Sequence, residues 1–341
     1  MEIENRRLND IQVQMKRLAL IGIAACLCLG ACERCELTYY MESEITVTAD
    51  WSMAGLEEER EYGATLIAYP KDGGAPKVVL MGNRTGITFR LPRGKYDMIL
   101  FNRSFDDFSG LAFRGKENLE TLEAYAKKVE TRPETQIIIS APERLATAVI
   151  RNFEVTDEML GNYTPASTRT SICPEGACHI QFIPVPITQK TQVELRIKGL
   201  DNLKKATCTM TGIPLSVFLY NGSAGKELGA QDFTTGNPIF DEGSQTNGKL
   251  TGELNLFGLS KEEDPQVILK ALLVDGKTTV EQQIGDVEVR QNEDGNGSIT
   301  VYVEAEAPES LPDVKPEEDV NSGFDADVDE WGNETVTEIP I

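Results

Sequence analysis

The sequence predicts an all-β protein, two β-sandwich domains in tandem with one short helix. Three observations carry that expectation. Short runs rich in Val, Ile, Thr, Phe and Tyr recur along the chain, many alternating apolar and polar residues as half-buried strands do. Clusters of Gly, Pro, Asn and Asp divide them, which is turn chemistry. At 341 residues, 40% hydrophobic and with 29 Gly and 16 Pro, the chain is globular and longer than one core comfortably organises.

The first element is a processing signal rather than part of the fold. Lys16 and Arg17 precede an uninterrupted apolar run from Leu18 to Leu29, too short to span a bilayer comfortably and shaped like the charged and apolar regions of a secretory signal. Leu29-Gly30-Ala31-Cys32 follows and looks like the lipobox of bacterial lipoproteins, with the Cys32 thiol taking lipid after cleavage behind Ala31. A second match, Ile23-Ala24-Ala25-Cys26, would leave apolar residues beyond the lipid, so Cys32 is preferred. Residues 1–31 are thus read as signal peptide, with 1–14 a mis-assigned start upstream of Met15. A lipidated linker is expected over 32–43.

The N-terminal sandwich is expected over 44–165. Glu44 to Trp51 alternates with a period of two, and Ala64–Tyr69, Lys77–Met81, Gly86–Leu91 and Tyr96–Asn102 follow as strands of an antiparallel meander. Glu117 to Lys128 is predicted as the one helix, because Leu119, Leu122 and Ala126 share a helical face and acidic residues come early, where the helix dipole favours them. Gln136–Ser140 and Ala148–Val155 return to strand, and the polar stretch Thr164–Glu175 suggests the boundary. The C-terminal sandwich is expected over 166–307, with strands at His179–Val185, Thr191–Ile197, Ala206–Met210, Leu215–Tyr220, Lys249–Phe257, Val267–Val274 and Ser298–Val303. Residues 308–341 are read as an acidic loop and C-terminal strands. There Phe324, Ala326 and Val328 alternate with Asp325, Asp327 and Asp329, and Thr335–Ile341 is strand-like. Such a tail can pair within its own chain or with a partner, and Trp331 as a core anchor favours its own.

Charge excludes one class of partner. The net charge is -22, and from Glu304 onward thirteen acidic residues stand against Lys315 alone. Binding nucleic acid needs a basic patch that releases counterions, and none follows residue 34. Catalysis finds no constellation either. His179 is the only histidine, it opens a predicted strand, and no glycine-rich nucleophile turn or phosphate loop accompanies it. Asp325, Asp327 and Asp329 resemble the start of a calcium loop, but Trp331 stands where the turn needs Gly and no Glu takes the twelfth position. No metal and no cofactor is expected. Cys173 and Cys178 are a candidate disulfide closing a small loop in an exported chain, while zinc at Cys178-His179 lacks a second ligand pair.

The order of features resembles the fimbrillin-like lipoproteins of Bacteroidales. The likeness rests on the lipobox with its short spacer to Ile45-Thr46-Val47-Thr48-Ala49-Asp50-Trp51, on Leu91-Pro92-Arg93-Gly94-Lys95-Tyr96-Asp97 leading to Phe101-Asn102, and on Pro186-Ile187-Thr188-Gln189-Lys190 before Val193 to Leu200. Thr211-Gly212-Ile213 and Asp329-Glu330-Trp331-Gly332 extend it. The resemblance implies two transthyretin-like sandwiches and a non-catalytic role in assembling, anchoring or tipping surface fimbriae, with outer-membrane attachment through lipid. Subunits would join by strand pairing, in which ladder hydrogen bonds give affinity and alternate side chains give specificity. Stalk subunits of the family release their lipid by cleavage at an arginine after the first strand. Only Arg60 offers itself here, which favours a retained lipid and an anchor. The alternative is a surface lipoprotein that binds glycan for a nutrient-uptake system, for which only Trp51 and Trp331 supply indoles.

Overall fold

The computed structural model describes residues 39–59, 61–131, 137–161, 178–260, 262–293 and 299–317. The expected signal peptide, the polar stretch at 164–175 and the tail strands beyond 317 lie outside them. β1 (Glu42–Ala49) forms as the sequence pattern requires, with Ser43, Ile45 and Val47 buried and Glu42, Glu44 and Thr46 exposed. It is the middle strand of a three-stranded sheet, antiparallel to β4 (Gly86–Pro92) and parallel to β11 (His179–Phe182). Facing it is a five-stranded sheet in the order β12 (Val185–Pro186), β10 (Ala146–Val155), β5 (Gly94–Asn102), β2 (Ala64–Pro70) and β3 (Lys77–Met81).

β2 and β5 are buried almost throughout. One set of their side chains, Leu66, Ala68, Met98 and Leu100, meets β1 and its neighbours. The opposite set, Ile67, Tyr69, Ile99 and Phe101, belongs to a second core that continues into the C-terminal half. A strand covered on both faces reads as an unbroken apolar run, and Ala64–Tyr69 and Met98–Phe101 have that form.

The second sandwich joins two larger sheets. One runs β17 (Ile239–Phe240), β18 (Asn247–Leu256), β13 (Gln189–Lys198), β22 (Ile299–Glu306), β21 (Val287–Glu293). The other runs β20 (Thr279–Ile284), β19 (Gln266–Leu273), β14 (Leu203–Pro214), β16 (Leu228–Thr234), β9 (Ile137–Ile139), β8 (Lys128–Thr131). A small sheet of β15 (Ser216–Phe218), β7 (Glu123–Ala126) and β6 (Leu111–Arg114) bridges the halves.

One expectation is corrected here. The helix expected over Glu117–Lys128 is a single 3-10 turn at Leu119–Thr121, its start capped by the Asn118 side chain, followed by β7 and β8. Pairing of β7 on both sides, with β6 and β15, outweighs the local helical spacing, and the same Leu119, Leu122 and Ala126 enter the core from an extended backbone. The one α-helix among the described residues is α1, four residues at Asp157–Leu160. β11 and β12 pair with the N-terminal sheets, while β8 and β9 extend a C-terminal sheet. The loop at 308–317 packs against the fold. It straps the end of the second sandwich, with Leu311 3% exposed, its N–H donating to the Lys198 carbonyl, and the Glu317 N–H donating to Val274.

Candidate functional site

Of the sites expected from sequence, Cys32 and Cys173 lie outside the described residues. Cys178 is buried beside β1, its Sγ 3.8 Å from the Ser43 hydroxyl, and it is disulfide-bonded. The other described cysteine, Cys208, is free and buried, so the partner of Cys178 is not among the described residues. Burial pushes the Cys208 thiol up to about 12, which leaves almost no thiolate and makes it inert at neutral pH. His179 sits exposed on β11 with Nε2 3.1 Å from the Thr48 hydroxyl. No cluster of three metal-ligating side chains occurs among the described residues. No described helix is long and apolar enough to cross a membrane.

What the structure assembles with care is the seat of the first strand. β1 is hydrogen-bonded on both edges, and its exit is clamped. The Trp51 indole, 3% exposed, donates to the Arg84 carbonyl at 2.9 Å, and the Arg84 guanidinium lies 4.4 Å from the ring centroid. Glu59, in the following loop, accepts from both Arg84 and Arg103. Arg103, at a left-handed φ of 66°, stacks on Tyr62 at 4.2 Å. Arg144 closes the arrangement by donating to the carbonyls of Ala54 and Gly55 at 3.0 and 2.7 Å. Burial lowers the Arg84 pKa, and the Glu59 carboxylate offsets part of that effect. Removing either acid or base from such a buried pair leaves an uncompensated charge, which is far costlier than the pair is stabilising. Sequence reasoning placed Trp51 but missed Arg84, Arg103 and Arg144, because their partners are distant in the chain.

The second feature is an open edge. β3 ends its sheet, pairs in unbroken register with β2 alone, and carries Val78 and Leu80 at 49% and 63% exposure. Long, apolar edges without a bulge invite another strand. By contrast β10, beyond its short pairing with β12, is bulged between Ile150 and Phe153, with Asn152 left-handed at φ 58°, and the edge strand β8 is bulged between Lys128 and Glu130.

Two sandwiches that share a core, with a buried first strand and an apolar edge, define an all-β, two-sandwich protein. The chain belongs to the family described as Domain of unknown function (DUF5119), which matches residues 31–233. Over 94% of its length it is 21% identical to a Bacteroides ovatus protein named as a fimbrium anchoring subunit, Fim4B, covering 97% of that protein. Among solved structures it is similar to one described as an adhesin from Bacteroides ovatus, with TM-score 0.53 and 19% identity, over 74% of this chain and 85% of that one. It also matches the fimbrial anchor protein Mfa2 from Porphyromonas gingivalis at TM-score 0.39 and 10% identity, over 79% and 100% of the two chains.

Proposed function

We propose that this chain is a non-catalytic, lipid-anchored subunit at the base of a surface fimbrium, held to the outer membrane through Cys32 and joined to a neighbouring subunit by strand pairing at β3. The clamped first strand carries the reading. A lipid on Cys32 would be tethered through β1 to two neighbouring strands and three arginines, so pulling on the fimbrium would load a ladder and a buried ion-pair network rather than a loose leader. The family match begins at residue 31, one residue before the proposed lipid acceptor, and a near full-length relative is named for anchoring. The Cys173–Cys178 pairing is part of the same proposal, as a staple at the start of β11.

Mass spectrometry of the mature protein should find acyl chains on Cys32 and no upstream residue, and Cys32→Ala should leave the membrane fraction. Leu80→Lys, which places a charge on the open edge, should keep the melting midpoint but abolish capture of fimbrial subunits. Capture that survives Leu80→Lys would remove β3 from the reading, and an unmodified Cys32 would remove the anchor.

A further inference from the structure

We infer that the entry end of the first sandwich, where β1 begins, docks on a phospholipid surface through Tyr39 and Met41. The inference rests on the lipid proposed at Cys32 and goes beyond it. Ten residues lead from Cys32 to Glu42, a length that could span about 35 Å when extended. A lipid alone would therefore let the fold hang clear of the bilayer.

The surface at that end points to contact. Met41 is 70% exposed, more than any other large apolar side chain among the described residues, and Tyr39 is 64% exposed. Both stand on the chain's path to Cys32, so the lipid would bring this patch to the headgroups first. Tyrosine suits that level, where its ring meets apolar groups and its hydroxyl stays wet. The neighbouring surface does not oppose the approach. Register places the β2–β3 turn, the β4–β5 turn and α1 beside the start of β1: Glu42 lies opposite Pro92, Gly94 opposite Val155 and Tyr96 opposite Pro70, and the Ser43 hydroxyl donates to the Met159 carbonyl at 2.9 Å. Glu42 pairs there with Lys77, Glu44 with Arg90, Asp157 with Arg93 and Glu154 with Lys95, while Lys71 reaches Asp97. Of the acids in those segments, Asp72 and Glu158 are left without an ion pair among the described residues. The whole chain carries -22, so this is an end that an acidic protein can bring to anionic headgroups with little repulsion. Charge removes the obstacle, and the apolar side chains supply the adhesion. Docked this way, the Trp51 clamp at the far end of β1 points away from the bilayer, and β3 runs away from it with its edge free for a neighbour.

The test reconstitutes the lipidated full chain in vesicles of phosphatidylethanolamine and phosphatidylglycerol, and compares Tyr39→Trp with wild type, whose two indoles are the reference. Phospholipids brominated high in their acyl chains should quench the introduced indole, and its emission should shift to the blue. Adding Met41→Asp should remove both effects while leaving flotation with the vesicles intact, because interfacial binding follows the apolar area buried. Both positions are exposed, so neither substitution disturbs the core. Flotation without quenching of the introduced indole overturns the inference and spares the anchor. A blue shift without quenching means that protein, not lipid, covers the patch, and overturns it equally. Protein that does not float lacks its lipid, and the anchoring role then falls together with the docking surface.

Discussion

Gly199 shows how a single backbone position serves the C-terminal strap. Its φ is +72°, and a Cβ there would lie 2.5 Å from the Leu311 carbonyl oxygen and 2.9 Å from the Ser310 hydroxyl. Gly199→Ala is therefore strained by conformation and by contact, and should lower stability by more than about 1 kcal/mol in denaturant titration. Gly82→Ala, where a Cβ meets nothing within 4 Å, should be close to neutral. Glu123 gives a pH-dependent counterpart. Burial alone would raise its pKa, but the Arg114 guanidinium and the Ser216 hydroxyl outweigh it and hold the carboxyl below its ordinary 4.5. A depressed folded-state pKa stabilises fully above the unfolded value and is lost as pH falls through the folded one. Glu123→Gln should thus be less stable than wild type at pH 7, with the gap closing as pH falls below the ordinary 4.5 and through the lowered folded value in melts across pH. Neither residue is identifiable in the sequence. Gly199 is one of 29 glycines and Glu123 one of 55 acids, and only the passing strap and the Arg114 partner single them out.

Among the elements, strands with a clean apolar alternation or an unbroken apolar run were legible: β1, β2, β4, β5, β13, β18 and β19 fall where period and turn chemistry place them. β16, β20 and β21 were not, because Gln, Asp and Glu interrupt them and their burial depends on the neighbouring sheet. β7 failed for a different reason, since a few apolar residues at spacings of three and four fit a helix as well as a turn followed by a strand. The loop at 308–317 acts as a strap, a role that its acids and prolines do not disclose: Leu311 is buried in the core and the Gln282 amide donates to the Glu309 carbonyl at 3.0 Å. Burying one Leu stabilises by roughly 1.5–3 kcal/mol. A chain ending at Ala307 should therefore melt well below one ending at Glu317. Equal midpoints for the two would mean that the strap merely rests on the sandwich.

For the whole molecule, the decisive fact is that the five-stranded sheet of the first sandwich is covered on both faces, by that sandwich's own core on one and by a core shared with the second sandwich on the other. The shared core runs from Ile67 and Phe101 in the first, through Leu119, Leu122 and Val217 around the bridging sheet, to Leu195, Leu269 and Val303 in the second. Strand exchange reinforces it, because β8 and β9 come from the N-terminal half yet complete a C-terminal sheet, and β11 and β12 lie beyond the N-terminal strands they pair with. The count of two sandwiches was readable from strand spacing, but this fusion was not, since it depends on which non-adjacent strands meet. It has a mechanical meaning for a protein proposed to sit under tension: a hinge between independent domains would yield first, whereas a continuous core must open as a unit. Calorimetry should show one transition, with calorimetric and van't Hoff enthalpies in agreement, rather than two. A protein ending at residue 187 should fail to fold, because it keeps half of that core exposed and strands β8 and β9 without a partner sheet. Two resolved transitions, or a folded N-terminal fragment, would show that the halves are autonomous and that load passes through a hinge.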